Sequence, residues 1–349
     1  MTSSWTPIPA KDGDEDSIIE LEQIAWGSAE EATHEYFQWC LKNPAARSIT
    51  YVVKDDFGKV VSMHVVVPVP TIINGQVRLA GVSINGVTHP DHRRKGLSNR
   101  IAAAIYAEAA QSGIQFVFTL PNSMSDSLVM KKYNFVDLGK PRLWVRWLDP
   151  GIFVKENGFP RAGKFISSWT KLVSTALARE KQPVSRVQHV EELETLRLDE
   201  LLEPANACFA LDGNWLKWRY REHPFRRYEC AIVGDPADPK ALVVYHVLQS
   251  SKRALVMEFL TGQKTPQEDV QALMCVVAAK CNAMGCSSLC CLGPPNSRKT
   301  NRLRRSGFWA FPFESVWRPR IAVKNISGSS TDFSFASLDF SFGTLINME

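Results

Sequence analysis

The stretch Gly86-Val87-Thr88-His89-Pro90-Asp91-His92-Arg93-Arg94-Lys95-Gly96-Leu97-Ser98-Asn99-Arg100 joins a strand-like run to a helix-like run across a basic turn. The strand, 77–87, runs into a Pro-Asp turn. The helix, 97–111, places Leu97, Ile101, Ala104 and Ile105 on one face at helical spacing, and Glu108 interrupts that face one turn later. A turn of this kind leaves backbone N–H groups without partners at a helix N-terminus, where the helix dipole favours negative charge. Gly96 lets the backbone come close to a ligand, Ser98 is small for the same purpose, and Arg93, Arg94 and Lys95 add positive charge. A pyrophosphate is the guest that fits. The alternative is a solvated basic turn before an ordinary helix.

Working outward, helical patterns cover 16–26 and 30–42, with Asn43-Pro44 as the stop. Strand-like runs at 49–54, 60–69 and 77–87 follow, separated by Asp56-Phe57-Gly58 and Asn74-Gly75. After the helix at 97–111 come a strand at 114–120, a helix at 123–133 and a strand at 143–147, giving the order ααβββαβαβ. Antiparallel hairpins followed by βαβ units predict an α+β or mixed α/β domain over 1–150. Residues 151–186 read as a connector whose basic amphipathic segment, 164–180, either packs across two domains or makes peripheral contact with a membrane.

Residues 187–324 repeat the first half. Tyr36-Phe37-Gln38-Trp39 with Asn43-Pro44 returns as Trp215-Leu216-Lys217-Trp218 with His223-Pro224, and Pro121-Asn122-Ser123 returns as Pro295-Asn296-Ser297. With Gly58-Lys59-Val60-Val61-Ser62-Met63-His64, which returns as Pro239-Lys240-Ala241-Leu242-Val243-Val244-Tyr245-His246, four correspondences in one order predict an internal duplication. Residues 325–349 read as an extended strand or tail.

With these residues in view, Arg93-x-x-Gly96-x-Ser98 resembles the acyl-CoA signature of the GNAT N-acyltransferases, (Gln/Arg)-x-x-Gly-x-(Gly/Ala), with Ser98 in the last small position. The resemblance covers about 15–148 and, without the signature, 187–320. It implies an α/β (α+β) fold of two tandem GNAT-like domains, each a mixed central sheet flanked by helices, with a degenerate second copy. It implies that Arg93, Arg94, Lys95, Gly96, Leu97, Ser98 and Asn99 wrap the CoA pyrophosphate. Val87 and Thr88 would hydrogen-bond the pantetheine arm, and Asn122 would lie beside it.

The family often carries a tyrosine five residues before its closing Phe, to protonate the leaving thiolate. Met130 and Val129 stand at the counted positions here, and Tyr133 lies on the same helix nearer its end, with a core aromatic as the alternative reading. The central strand offers Ser83 and Asn85 rather than a carboxylate. His64 and His89 could titrate near neutrality or be structural. Tyr133, His64 and Asn85 are therefore the catalytic candidates. Direct attack by an amine deprotonated by water needs none of them.

The resemblance implies acetyl-CoA as co-substrate and a primary amine on a small polar acceptor, with an amino sugar of surface-polysaccharide synthesis first in order. In the second half the Arg-x-x-Gly pattern is missing after Thr261, and the cluster around Arg219 and Arg226 is the place to look for an anionic acceptor. Two alternatives stand: a non-catalytic acyl-CoA-binding regulator, and an aminoacyl transferase of the peptidoglycan-precursor type. The latter lacks the CoA signature as a class.

The totals bound the rest. At 349 residues the chain has room for two cores, and its net charge of +5 is too mild to argue for nucleic acid. The eight cysteines form no CxxC pair, so no metal is expected. The N-terminus has no apolar leader-like region, and the apolar runs are too short to span a bilayer. A cytoplasmic protein is expected, with homo-oligomerisation left open.

Overall fold

The computed structural model describes residues 5–27, 32–73, 75–121, 125–156, 158–162, 164–168, 187–202, 207–294, 297–311, 320–328 and 338–339. The short edge strand β1 (Ile8–Pro9) is followed by helices α1 (Glu15–Trp26) and α2 (His34–Leu41), the second capped by Thr33, whose hydroxyl accepts from the Tyr36 N–H. The β-branched runs then form an antiparallel meander of β2 (Ile49–Lys54), β3 (Val60–Ile73) and β4 (Gln76–Thr88). The Val/Ile-rich β3 is buried over nearly its whole length, as a strand covered on both faces must be. A crossover through α3 (Leu97–Gln111) leads to β5 (Phe116–Thr119), parallel to β4. Helix α4 (Asp126–Lys131) and strand β6 (Val136–Gly139) follow.

The next strand does not stay with this sheet. β7 (Arg142–Trp147) pairs with the second sheet, which the chain reaches after α5 (Pro150–Glu156). That sheet is built from β8 (Val187–His189), β10 (Tyr228–Asp235), β11 (Asp238–Leu248), β12 (Arg253–Thr261), β13 (Ser288–Gly293) and β14 (Trp309–Ala310). Strand β9 (Ala207–Phe209) pairs with β3 of the first sheet. Helix α6 (Gly213–Leu216) runs into a π-helical turn, Lys217–Arg221. Helix α7 (Gln267–Ala283) crosses from β12 to β13, and α8 (Arg298–Arg305) follows β13. Late in the chain β15 (Ile321–Asn325) returns to the first sheet, inserted between β5 and β6, and β16 (Leu338–Asp339) pairs with β9.

The two sheets share one topology. The first reads β1-β2-β3-β4-β5-β15-β6 and the second β8-β10-β11-β12-β13-β7-β14. In each, three antiparallel pairings lead to one parallel pairing, then to an inserted antiparallel strand. That inserted strand comes from the other half in both cases. The exchange is tight: Ile321 and Ala322 are fully buried, Lys324 donates to the Tyr133 carbonyl at 2.5 Å, and Arg320 pairs with Asp126 at 3.2 Å and Asp137 at 3.4 Å.

The residues matched between the halves meet at their junction. Trp39 and Trp218 stack with ring centroids 4.7 Å apart. The Trp39 Nε1–H donates to the Trp218 carbonyl at 2.8 Å, and the Trp218 Nε1–H donates to the Trp39 carbonyl at 2.9 Å. Asn43 and His223 play one part in the two turns, each accepting from the backbone two residues on (Ala45 N–H at 3.0 Å, Phe225 N–H at 3.3 Å). Contacts that exchange donor and acceptor in this way are what a local two-fold relation produces.

The sequence reading differs from the structure at two places. Short β1 and β6 lack the length or alternation to announce themselves, with Val136 in β6 exposed. β7, expected to close the first sheet, sits in the second. Most of the amphipathic segment 164–180 lies outside the described residues.

Candidate functional site

Two features of β4 open the site. Opposite β3, Ile84 pairs with Val65 and Val87 with Met63, so Asn85 and Gly86 together face His64 in a bulge. Asn85 takes a positive φ of 51°, a conformation tolerated by Asn better than by most side chains. Its amide donates to Oε1 of Glu22 on α1 at 2.8 Å, and Glu22 is buried. On the other side, the parallel ladder to β5 ends at the Ser83–Thr119 pair while β4 continues to Thr88. The strands therefore part below the bulge, leaving a notch walled by Ile84–Thr88.

The basic loop closes the end of that notch. Pro90–His92 make one 3₁₀ turn, Arg94 adopts φ 63° and Gly96 φ 77°, and α3 starts at Leu97. Leu97 is buried and anchors the helix, whereas Arg93, Arg94, Lys95, Gly96 and Asn99 are exposed. No side chain caps α3. The N–H groups of Gly96, Leu97, Ser98 and Asn99 find no acceptor among the described residues. Those are the donors that a helix start must satisfy with something. The loop is held from behind: the Arg93 Nε–H donates to the Thr88 carbonyl at 3.3 Å, Lys95 lies 5.2 Å from the Trp5 ring centre, and the Arg100 guanidinium donates to the Trp5 carbonyl at 3.3 Å.

A hydroxyl chain lines the junction of loop and notch. Ser62 and Thr88 lie 2.8 Å apart, Thr88 and Ser98 3.2 Å apart. The Tyr133 hydroxyl faces Ser98; burial pushes this phenol up to about 12, an effect that the Ser98 hydroxyl reduces. Tyr133 is thus brought to the loop, although the sequence position nearer the helix start is held by Met130.

His64 is placed differently. It is buried against Tyr106, with Nε2 2.6 Å from the Ser83 Oγ, and Ser83 is in turn 3.2 Å from the Tyr106 hydroxyl. Burial pushes the imidazole down to about 4, so it is neutral at physiological pH and a weak base. His64 packs behind the bulge as a support of β4.

Arg219 requires a correction. The basic cluster in the second half was expected to meet an acceptor, but Arg219 is 0% exposed. Its guanidinium sits against Trp39, Tyr220 and Tyr228 and donates to the Tyr228 hydroxyl at 3.3 Å. An acceptor cannot reach it in this arrangement. Arg226 is half-buried, with its N–H donated to His223 Nδ1 at 3.2 Å. Asn122 lies outside the described residues.

The carboxylate missed by sequence reasoning is Glu22. Its signal was its place four residues after Ile18, on the apolar stripe of α1, where a charged side chain needs a specific partner.

A family model described as an acetyltransferase (GNAT) domain matches residues 6–133, a span that contains the bulge, the notch and the loop. Residues 6–133 are a GNAT acetyltransferase domain. The GNAT fold extends over most of the chain. A probable N-acyltransferase from Enterococcus faecalis, itself described as of unknown function, superposes with a TM-score of 0.67 at 10% identity, over 93% of this chain and 73% of its own. A GCN5-related N-acetyltransferase from Anabaena variabilis gives 0.63 at 10% identity, over 92% and 72%. Another from Kribbella flavida gives 0.64 at 11% identity, over 93% and 72%. Among curated proteins no match was found. At these identities the structural likeness speaks to fold, and the chemistry of the GNAT domain rests on its own residues. Among the described residues no helix is long and apolar enough to cross a membrane, and no cluster of His, Cys, Asp and Glu has the make-up of a metal site. All eight cysteines are free thiols.

Proposed function

We propose that the chain transfers an acetyl group from acetyl-CoA to a primary amine on a small polar acceptor. The observation that supports this reading most is the uncapped start of α3, four N–H groups wide, set beside three cations at the mouth of the β4–β5 notch. A pyrophosphate fits those donors and the helix dipole, and an extended arm fits along Ile84–Thr88. Acetyl-CoA would supply the acyl group as an activated thioester. The chain's part is to hold both reactants so that the amine nitrogen meets the thioester carbon, which is where most of the acceleration in such a reaction lies.

The second half supports this role without repeating it. Its loop after β12 turns the carbonyls of Gly262 and Gln263 toward Arg298 and Arg302, the opposite polarity from the N–H groups offered at Gly96–Asn99. Met130, in place of a proton donor, favours a second reading, a binder of acyl-CoA that does not turn it over. Release of free thiol from acetyl-CoA, measured against a panel of amino sugars, aminoglycosides and amino acids, separates the two. Thiol release that depends on one amine class supports transfer; tight CoA binding with no amine-dependent release supports the binder.

A further inference from the structure

The second half contains a cavity of about 500 Å³ whose lining includes Arg298, Arg302, Arg305, Ser297, Asn301 and Gln267. That size suits a small metabolite. Arg298, Arg302 and Arg305 fall at positions i, i+4 and i+7 of α8, so one helical face directs three guanidinium groups to one place. Like charges at this spacing disfavour each other. Two of the groups are drawn closer still, since Arg298 and Arg302 both donate to the Gly262 carbonyl at 3.3 Å. Arg302 is only 9% exposed. Arg305 stands at the rim, exposed, and its side chain makes no ion pair among the described residues. No carboxylate is among the residues that line the cavity. The first residue of the 17-residue helix α7, Gln267, adds its amide side chain to the same wall, while the Glu268 and Asp269 that follow it are not among the lining residues.

We infer that this cavity binds a phosphate group, free or carried as the monoester of a small organic molecule. A tetrahedral dianion matches the converging planar donors of arginine. The carbonyl-facing loop at Gly262–Gln263 leaves no cradle for a pyrophosphate, so the ligand is distinct from CoA. This inference does not depend on the proposed transferase activity.

Calorimetry of the full chain carrying Gly96→Glu, which puts a carboxylate in the first loop, isolates the second site. Inorganic phosphate and glycerol 3-phosphate are the probes. One site per chain is expected, tighter for glycerol 3-phosphate if an ester is the ligand and equal for both if the phosphate alone is recognised. Adding Arg305→Glu should weaken binding roughly tenfold or more, as loss of a charge-assisted hydrogen bond does. Asn301→Asp should weaken it in the same direction, and neither exposed position threatens the fold. Absence of binding to the Gly96→Glu chain, or affinity unchanged by both substitutions, would overturn the inference.

Discussion

Tyr133 and Gly96 carry the chemistry most open to test at the level of single residues. The Tyr133 phenol faces Ser98 on the loop and is raised to about 12 by burial, which makes it a reluctant proton donor. Tyr133→Phe is therefore expected to lower kcat less than about tenfold, whereas loss of a general acid costs about 10²–10⁴. A thousandfold fall in kcat with unchanged CoA affinity would place the acid at Tyr133. Histidine protonation gives a second test. Folded His64 binds its proton only near pH 4, and folded His223 near pH 3, both lowered mainly by burial, while an unfolded histidine does so near 6.5. Above pH 6.5 the stability from keeping them neutral is fully present. It is lost progressively as pH falls toward 4, because the unfolded chain takes up protons first. The urea midpoint should fall across that window, and His64→Asn, which keeps a polar partner for Ser83, should reduce the slope. A midpoint indifferent to pH would contradict the burial of both rings.

At the scale of elements, what was legible in the sequence was local. Helix α3 was expected at 97–111 and is found there, because Gly96 marks its start and apolar residues recur at helical spacing. The loop and the strand before it were legible for the same reason. The bulge at Asn85–Gly86 was not, since it depends on the register against β3. Nor was the buried state of Arg219, because a run of cations gives no sign that aromatic faces will enclose it. The strand exchange is the clearest case: nothing local to Arg142–Trp147 or Ile321–Asn325 tells which sheet each will join. It carries a consequence. β15 separates β5 from β6 and pins the carbonyl of Tyr133 through Lys324. Ending the chain at residue 319 should expose two apolar strand edges and yield aggregated or swapped material that no longer binds CoA. Gel filtration and CoA titration check this. A soluble monomer that binds CoA normally would show that the exchanged strand is dispensable.

At the scale of the molecule, two sheets of one topology are joined by exchanged strands and by the reciprocal Trp39–Trp218 contact, yet the first alone sets an uncapped helix start beside Arg93, Arg94 and Lys95. The asymmetry lies in a few loop residues on a shared frame. Gly96 is the most exposed to challenge among them: an alanine there would strain a φ of 77° by about 1 kcal/mol, and a glutamate would add a charge that opposes the ligand. The most direct measurement is calorimetric titration of acetyl-CoA into the full chain and into its Gly96→Glu form. One site per chain is expected, abolished by the substitution while the thermal unfolding profile stays that of a folded protein. Two equal sites, or binding that survives Gly96→Glu, would contradict the assignment of the acyl-CoA site to this loop.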